Sequence, residues 1–153
     1  MIEGAGADAV VMFNKLFQPD IDINTEKMVY PYNFSNSEEN RLPLRYVGLL
    51  AGQIQMSIAA NTGIMGADDV IKMILAGADV VQVVTTLYKN GIGHIETILK
   101  DLQVWMDKKG YASVDEFRGK LSRENIKDPY AYKRAQYVDI IMKSDIFKPK
   151  AMV

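Results

Sequence analysis

The chain has 153 residues, 48% of them hydrophobic, with 18 Lys and Arg against 19 Asp and Glu and a formal net charge of −1. That length supports one domain with a real core, and the near-neutral charge supplies no electrostatic reason to expect nucleic acid or an anionic membrane as a partner. With no cysteine and one histidine, His94, disulfides, thiolate chemistry and a multi-histidine metal site are excluded; no apolar run approaches the roughly 20 residues of a membrane span and no signal-peptide pattern opens the chain, so a cytoplasmic α/β protein is expected.

Met1 to Gly6 reads as the end of a helix followed by a turn, as though the chain begins in mid-fold. Ala9 to Phe13 (AVVMF) is an apolar strand that stops at Asn14. Ile21-Asp22-Ile23 and Met28-Val29-Tyr30 flank Asn24 to Lys27, which predicts a hairpin, so that residues 15–40 form a loop and hairpin insertion over the strand ends. A polar segment, Asn33 to Asn40, leads to Pro43 near a helix start, with Leu44, Val47, Leu50 and Ala51 facing the sheet and Gly52 closing the helix.

Ile54 to Ala60 predicts a second buried strand, ending at Asn61-Thr62-Gly63. Asp68 and Asp69 favour the first turn of the next helix, Val70, Ile71, Ile74 and Leu75 give its apolar stripe, and Gly77 supplies the left-handed residue after it. Val80 to Val84 is the third strand, with Thr85-Thr86 as its polar end. Gly91 permits a tight exit, after which Ile92, Ile95, Ile98, Leu99, Leu102, Trp105 and Met106 recur at helical spacing until Gly110. Residues 110–153 read as a helical extension: Ser113 to Glu116 is a capping box for a short helix carrying Val114, Phe117 and Leu121, and Asp128-Pro129 opens a last helix with Tyr132, Ala135, Val138, Ile141 and Met142 inward. His94 reads as a helix-surface residue, the nine methionines and Trp105 as core filling, and the basic residues Lys108, Lys109, Arg118, Lys120 and Arg123, interleaved with acids, as a solvated face.

Strand, helix and strand at this spacing form parallel βαβ units, and each of the three strands ends in amides, hydroxyls or glycine, the place where α/β barrels and open sheets put their sites. A complete eight-unit barrel takes about 250 residues. Three parallel strands cannot close one, and a parallel sheet open at both edges exposes apolar side chains and unpaired backbone. The expected fold is therefore part of a (β/α)8 TIM barrel, about the last three βα units plus C-terminal helices, whose partner is either the missing N-terminal half or further copies of the chain joined through open sheet edges.

GADAVVMFN (Gly6 to Asn14), SIAANTGI (Ser57 to Ile64), AGADVVQVVTTLYKNG (Ala76 to Gly91) and KKGYASVDEFRGKL (Lys108 to Leu121) resemble, in this order, the C-terminal portion of the class 1 dihydroorotate dehydrogenase family. QPDID (Gln18 to Asp22) and RLPLRY (Arg41 to Tyr46) resemble its bacterial dihydroorotate dehydrogenase-like branch. The resemblance implies an FMN-binding TIM barrel that oxidises dihydroorotate to orotate in pyrimidine synthesis. It also implies a small-molecule ligand, a substrate-binding role for Asn14, and a flavin phosphate held on backbone amides of two turns, here containing Thr62 and Gly63, and Thr85 and Thr86. The family pattern is incomplete: Thr62 and Val84 stand where it has glycine, Lys15 follows Asn14 where a hydroxyl is usual, and SNSEEN (Ser35 to Asn40) replaces a glycine-serine-glycine phosphate loop with one carrying Glu38 and Glu39. The catalytic base, a Cys or Ser, and a flavin-contacting lysine fall outside the matching segments, so no catalytic residue is expected in this chain.

Three readings stay open on the residues: part of a flavin oxidoreductase, a non-catalytic or differently liganded barrel relative with an eroded FMN phosphate site, and a structural piece that persists by association. Beside a phosphate cradle, Thr62, Gly63 and Thr85 also read as ordinary βα turn residues capping helices, and Asn14 as a strand-end residue satisfying loop backbone.

Overall fold

The computed structural model describes residues 2–16, 18–129, 131 and 132. Among the described residues there are five strands, β1 (Ala9–Met12), β2 (Asp20–Asp22), β3 (Lys27–Val29), β4 (Ser57–Ala60) and β5 (Val80–Val81), and four α-helices, α1 (Arg41–Leu50), α2 (Ala67–Ala76), α3 (Thr85–Asn90) and α4 (His94–Lys109), in the order β1-β2-β3-α1-β4-α2-β5-α3-α4. β1, β4 and β5 form one parallel sheet with β4 in the centre, and β2 and β3 form a separate antiparallel hairpin. The parallel order and the hairpin agree with the sequence reading.

The register decides which residues share a face. Val11, Ala59 and Val80 lie in one row across the sheet, and Met12, Ala60 and Val81 in the next. Successive residues of a strand point to opposite faces. On the helix-covered face Met12, Ile58 and Ala60 are buried and pack with Val47 of α1 and with Ile71, Met73 and Ile74 of α2. On the other face Val11 is 47% and Val80 54% exposed. Purely parallel sheets normally have both faces covered, and here one face is left uncovered among the described residues.

α2 owes its boundaries to sequence. Asp68 and Asp69 occupy its first turn, and Gly77 ends it at φ +116°, where its N–H bonds to the Met73 and Ile74 carbonyls. A Cβ at Gly77 would fall 2.3 Å from Cβ of Ala51, so the residue that ends α2 has to be glycine for packing against the end of α1 as well as for φ. α4 ends in the same way at Gly110. Its Ile98 and Met106 are buried, whereas Ile92 and Leu99 remain exposed, so the apolar stripe read from spacing is only half covered.

Several boundaries differ from the sequence reading. The second strand starts at Ser57, not Ile54, because β1 offers its first partner at Ala9, opposite Ser57, while the Gln55 N–H turns instead to the Glu3 carboxylate at 2.5 Å. The third strand stops at Val81, not Val84: after Gln82 N–H bonds to Ala60 O at 2.9 Å, β4 has no further residue to pair. Thr85-Thr86 is consequently not a strand end but the first turn of α3, and Gly91 closes that helix. The helix expected from Ser113 is a single 3-10 turn, Val114–Glu116, whose Ser113 makes no side-chain cap; Glu116 accepts the Ala112 N–H instead, at 3.0 Å. Phe117 is fully buried against Trp105 and Tyr111. The last helix, predicted from Asp128, lies mostly outside the described residues; within them, Asp128 O accepts the Ala131 N–H at 3.0 Å, and the Tyr132 ring occupies the space beside Gly48 of α1.

Candidate functional site

A cleft of about 190 Å³ opens at the C-terminal ends of β1, β4 and β5. Its floor is Asn61, Thr62, Gly63 and Ile64 after β4, one wall is Gln82, Val84 and Thr85 after β5, and the other is Lys15 after β1 with the segment Tyr32 to Ser35. A wider hollow of about 330 Å³ lies at the opposite end of the sheet, near Asp79 and Arg118. There Asp79 Oδ2 accepts the Ile58 N–H at 2.8 Å and Arg118 pairs with Asp115 at 2.9 Å, so its charged side chains already serve the fold. In parallel α/β folds the C-terminal end carries the chemistry.

Three loops meet at the cleft because buried polar groups tie them. Asp69 is 5% exposed, and its carboxylate accepts Asn40 Nδ2 at 2.7 Å, Met65 N–H at 3.0 Å and Ser37 Oγ at 3.3 Å. This one side chain at the start of α2 therefore holds the 37–40 turn against the loop after β4. Gly63 completes the join: at φ +75°, a Cβ there would sit 2.5 Å from Asn40 N and 2.8 Å from Asn36 O. The glycine is thus required by loop packing whether or not a ligand binds. On the third side Thr86, fully buried, donates its hydroxyl to Met65 O at 2.8 Å and accepts from Asn90 Nδ2 at 3.2 Å, fastening α3 to the loop after β4. His94 Nε2 lies 3.3 Å from the same carbonyl.

The residues expected to bind ligand separate into two groups. Thr62, Gly63 and Thr85 line the cleft, whereas Asn14 is exposed outside its lining and Thr86 faces the interior. Lys15, and not the neighbouring Asn14, lines the cleft at the end of β1. Thr62 has φ +74°, a conformation that costs a β-branched residue energy. Its Oγ1 donates to Phe13 O at 2.5 Å, linking the ends of β1 and β4, and its N–H is taken by Asn61 Oδ1 at 2.7 Å. The N–H groups of Gly63, Ile64, Thr85 and Thr86 have no acceptor among the described residues. Two adjacent turns thus bring unpaired amides to one cleft, the arrangement that binds phosphate esters without a charged side chain.

Aromatic and charged groups define the mouth. Phe34 packs edge-on against Tyr32 with centroids 5.4 Å apart and tilted against Tyr88 at 5.3 Å, and Lys89 Nζ lies 5.9 Å from the Phe34 ring. Tyr32 and Phe34 had no signal in the sequence beyond sitting in a polar loop. Gln82 was hidden inside a run read as a longer strand. Lys15, the charged residue of the wall, is paired with Glu39 behind it at 3.0 Å.

Comparison with known proteins bears on this site. The profile of the dihydroorotate dehydrogenase family matches residues 4–106. The chain is 40% identical over 67 residues to the fumarate-type dihydroorotate dehydrogenase of Lachancea kluyveri, covering 44% of this chain and 21% of that protein. It is 32% identical over 122 residues to the catalytic subunit of the NAD(+)-type dihydroorotate dehydrogenase B of Trichlorobacter lovleyi, covering 78% of this chain and 40% of that one. The crystal structure of a DHODH from Eimeria tenella in complex with ferulenol superposes with a TM-score of 0.61 over 76% of this chain and 31% of that chain, at 21% identity. The chain therefore spans between about a fifth and two fifths of the length of these curated relatives.

Proposed function

The chain belongs to the dihydroorotate dehydrogenase family, and on that premise we propose that it contributes the phosphate side of the flavin site in a dihydroorotate dehydrogenase-like oxidoreductase. The observation that carries the reading is the pair of turns at one cleft whose Gly63, Ile64 and Thr85 amides have no acceptor among the described residues. Three open backbone N–H groups around a concave site fit a phosphate ester. FMN, when bound, would supply the hydride acceptor for oxidation of dihydroorotate to orotate. The residues of this chain bind and orient. Gly63, Ile64 and Thr85 would hold the phosphate, Asn61 and Gln82 present amides to the polar edge of the ligand, and Tyr32 and Phe34 exclude water at the mouth. Proton abstraction is assigned to no residue here. The remaining strands of a barrel would cover the face carrying Val11 and Val80.

One observation favours a second reading, a barrel relative whose phosphate site has eroded. The Thr62 N–H already has Asn61 as its partner, and the Val84 side chain lines the cleft where the family has glycine. The two readings part on a single experiment. The purified protein is scanned for co-purified flavin absorbance and then titrated with FMN, following quenching of flavin fluorescence, in parallel with Val84→Gly. Saturable FMN uptake supports the first reading. No uptake by the native protein, with uptake by Val84→Gly, establishes the second; no uptake by either defeats the flavin assignment.

A further inference from the structure

Lys15 is the one cationic side chain lining the cleft among the described residues. Its Nζ donates to Glu39 Oε1 at 3.0 Å, with 21% of the Lys15 side chain and 34% of the Glu39 side chain exposed. Glu39 itself is not part of the lining; it stands in the 3-10 turn Ser37–Asn40, whose backbone abuts Gly63 and whose Asn40 is held by Asp69. Its second oxygen, Oε2, is buried with no hydrogen-bond partner among the described residues, so Lys15 is the only donor they offer this carboxylate. A half-satisfied carboxylate is costly to place beside a cleft, and a neutral residue would fold there more cheaply. Its position therefore calls for an explanation in terms of what the cleft is to bind.

We infer that Glu39 is a specificity-determining residue: it withholds Lys15 from the cleft, so that a phosphate ester there is held on neutral backbone amides alone, and with low affinity. The inference deepens the flavin-site reading and rests on the cleft being the ligand site. The physical basis is simple. A phosphate on the Gly63 and Ile64 amides would meet a lysine whose charge is already cancelled, with a carboxylate next to it. Removing the carboxylate frees the ammonium and removes a like charge in the same step, and both changes favour an anion.

The test uses inorganic phosphate as the probe, at low and constant ionic strength because salt screens half-exposed charges. Binding is followed through the amide resonances of Gly63 and Ile64 in the native protein, in Glu39→Gln, and in Lys15→Met combined with Glu39→Gln. Phosphate should bind Glu39→Gln about fivefold or more tighter than the native protein, and the double variant should lose that gain. Exchanging the two residues, Lys15→Glu with Glu39→Lys, keeps an ion pair but turns the carboxylate into the cleft, so phosphate binding should fall below native. The exchange also guards against a variant that merely fails to fold, since its melting temperature should stay near native. Unchanged phosphate affinity in Glu39→Gln, a gain that persists without Lys15, or unaltered binding in the exchanged protein would each overturn the inference. The result is independent of flavin: a native protein that takes up no FMN while Glu39→Gln gains phosphate affinity would refute the flavin-site reading and leave Glu39 in its role.

Discussion

Replacing Asp69 by alanine is the sharpest perturbation of the frame around the cleft. The carboxylate is 5% exposed and accepts Asn40 Nδ2, the Met65 N–H and the Ser37 hydroxyl; Lys72 Nζ, at 3.5 Å, is a weaker fourth partner on the solvent side. Removal strands two well-made donors, those of Asn40 and Met65, in a buried setting. Hydrogen bonds to an ionised acceptor contribute about 1.5–3 kcal/mol each, and orphaned buried donors cost comparably, so Asp69→Ala should destabilise by about 3–5 kcal/mol. Lys72 adds little, because an ion pair with one exposed partner is screened by solvent. Asp69→Asn is the informative control. Both carboxylate oxygens accept, Oδ1 from Asn40 and Oδ2 from Met65 and Ser37, so an amide can serve only one side and opposes a donor on the other. Its cost should be smaller than that of alanine but still about 1–2 kcal/mol. Urea denaturation followed by circular dichroism measures both, and hydrogen exchange at the Met65 amide reports the local break. If Asp69→Ala unfolds within about 1 kcal/mol of the native protein, or if Met65 exchange does not quicken, the three loops are not held by this side chain.

Three further outcomes are expected. Gly63→Ala must accommodate a methyl group at 2.5 Å from Asn40 N in a left-handed conformation and should destabilise by about 2 kcal/mol or more, read as a lowered urea midpoint, whereas Thr62→Gly relieves a strained φ while losing the bond to Phe13 O and should stay within about 1 kcal/mol of native. Phe117→Ala empties a fully buried site between Trp105 and Tyr111 and should cost about 3–5 kcal/mol in the same assay. The Asp22 carboxyl is held below the ordinary value of 3.8, first by the Asn24 N–H and then by the Thr25 hydroxyl; because the folded value is depressed, its support of the hairpin turn is present above the unfolded value and is lost as pH falls through the lower folded one. The protection of the Asn24 and Thr25 amides, taken relative to the intrinsic exchange rate at each pH, should accordingly fall in acid below about pH 4, and an Asp22→Asn hairpin should show no such step.

How much was legible beforehand depended on whether the signal was local. The course of β1, α1, β4 and α2, the hairpin, and the stops at Gly77 and Gly110 follow from apolar periodicity, carboxylates in a first turn and glycine at left-handed positions, all properties of a few neighbouring residues. Strand ends were misplaced where a run of valines outlasted its partner. Val80 to Val84 carries valine on both sides of Gln82, but a strand is made by a ladder, and the ladder closes where β4 does. Thr85 and Thr86 show the same limit at the site. Adjacent in sequence and alike in chemistry, they diverge because α3 begins there and turns one toward the cleft and the other, fully buried, toward Met65.

The amino-acid order by itself determined the parallel βα repeat, the polar ends of β1 and β4 and the family to which the chain belongs, because each is written in residue type at short spacing. Only the tertiary structure decided that Lys15 and Glu39, 24 positions apart, form a pair on the wall of the cleft, that Gly63 is demanded by the backbone of a different loop, and that one face of the sheet lies open. Those facts depend on which distant segments come within a few ångströms of each other, and that proximity is set by the packing of helices on the sheet, which no local pattern encodes.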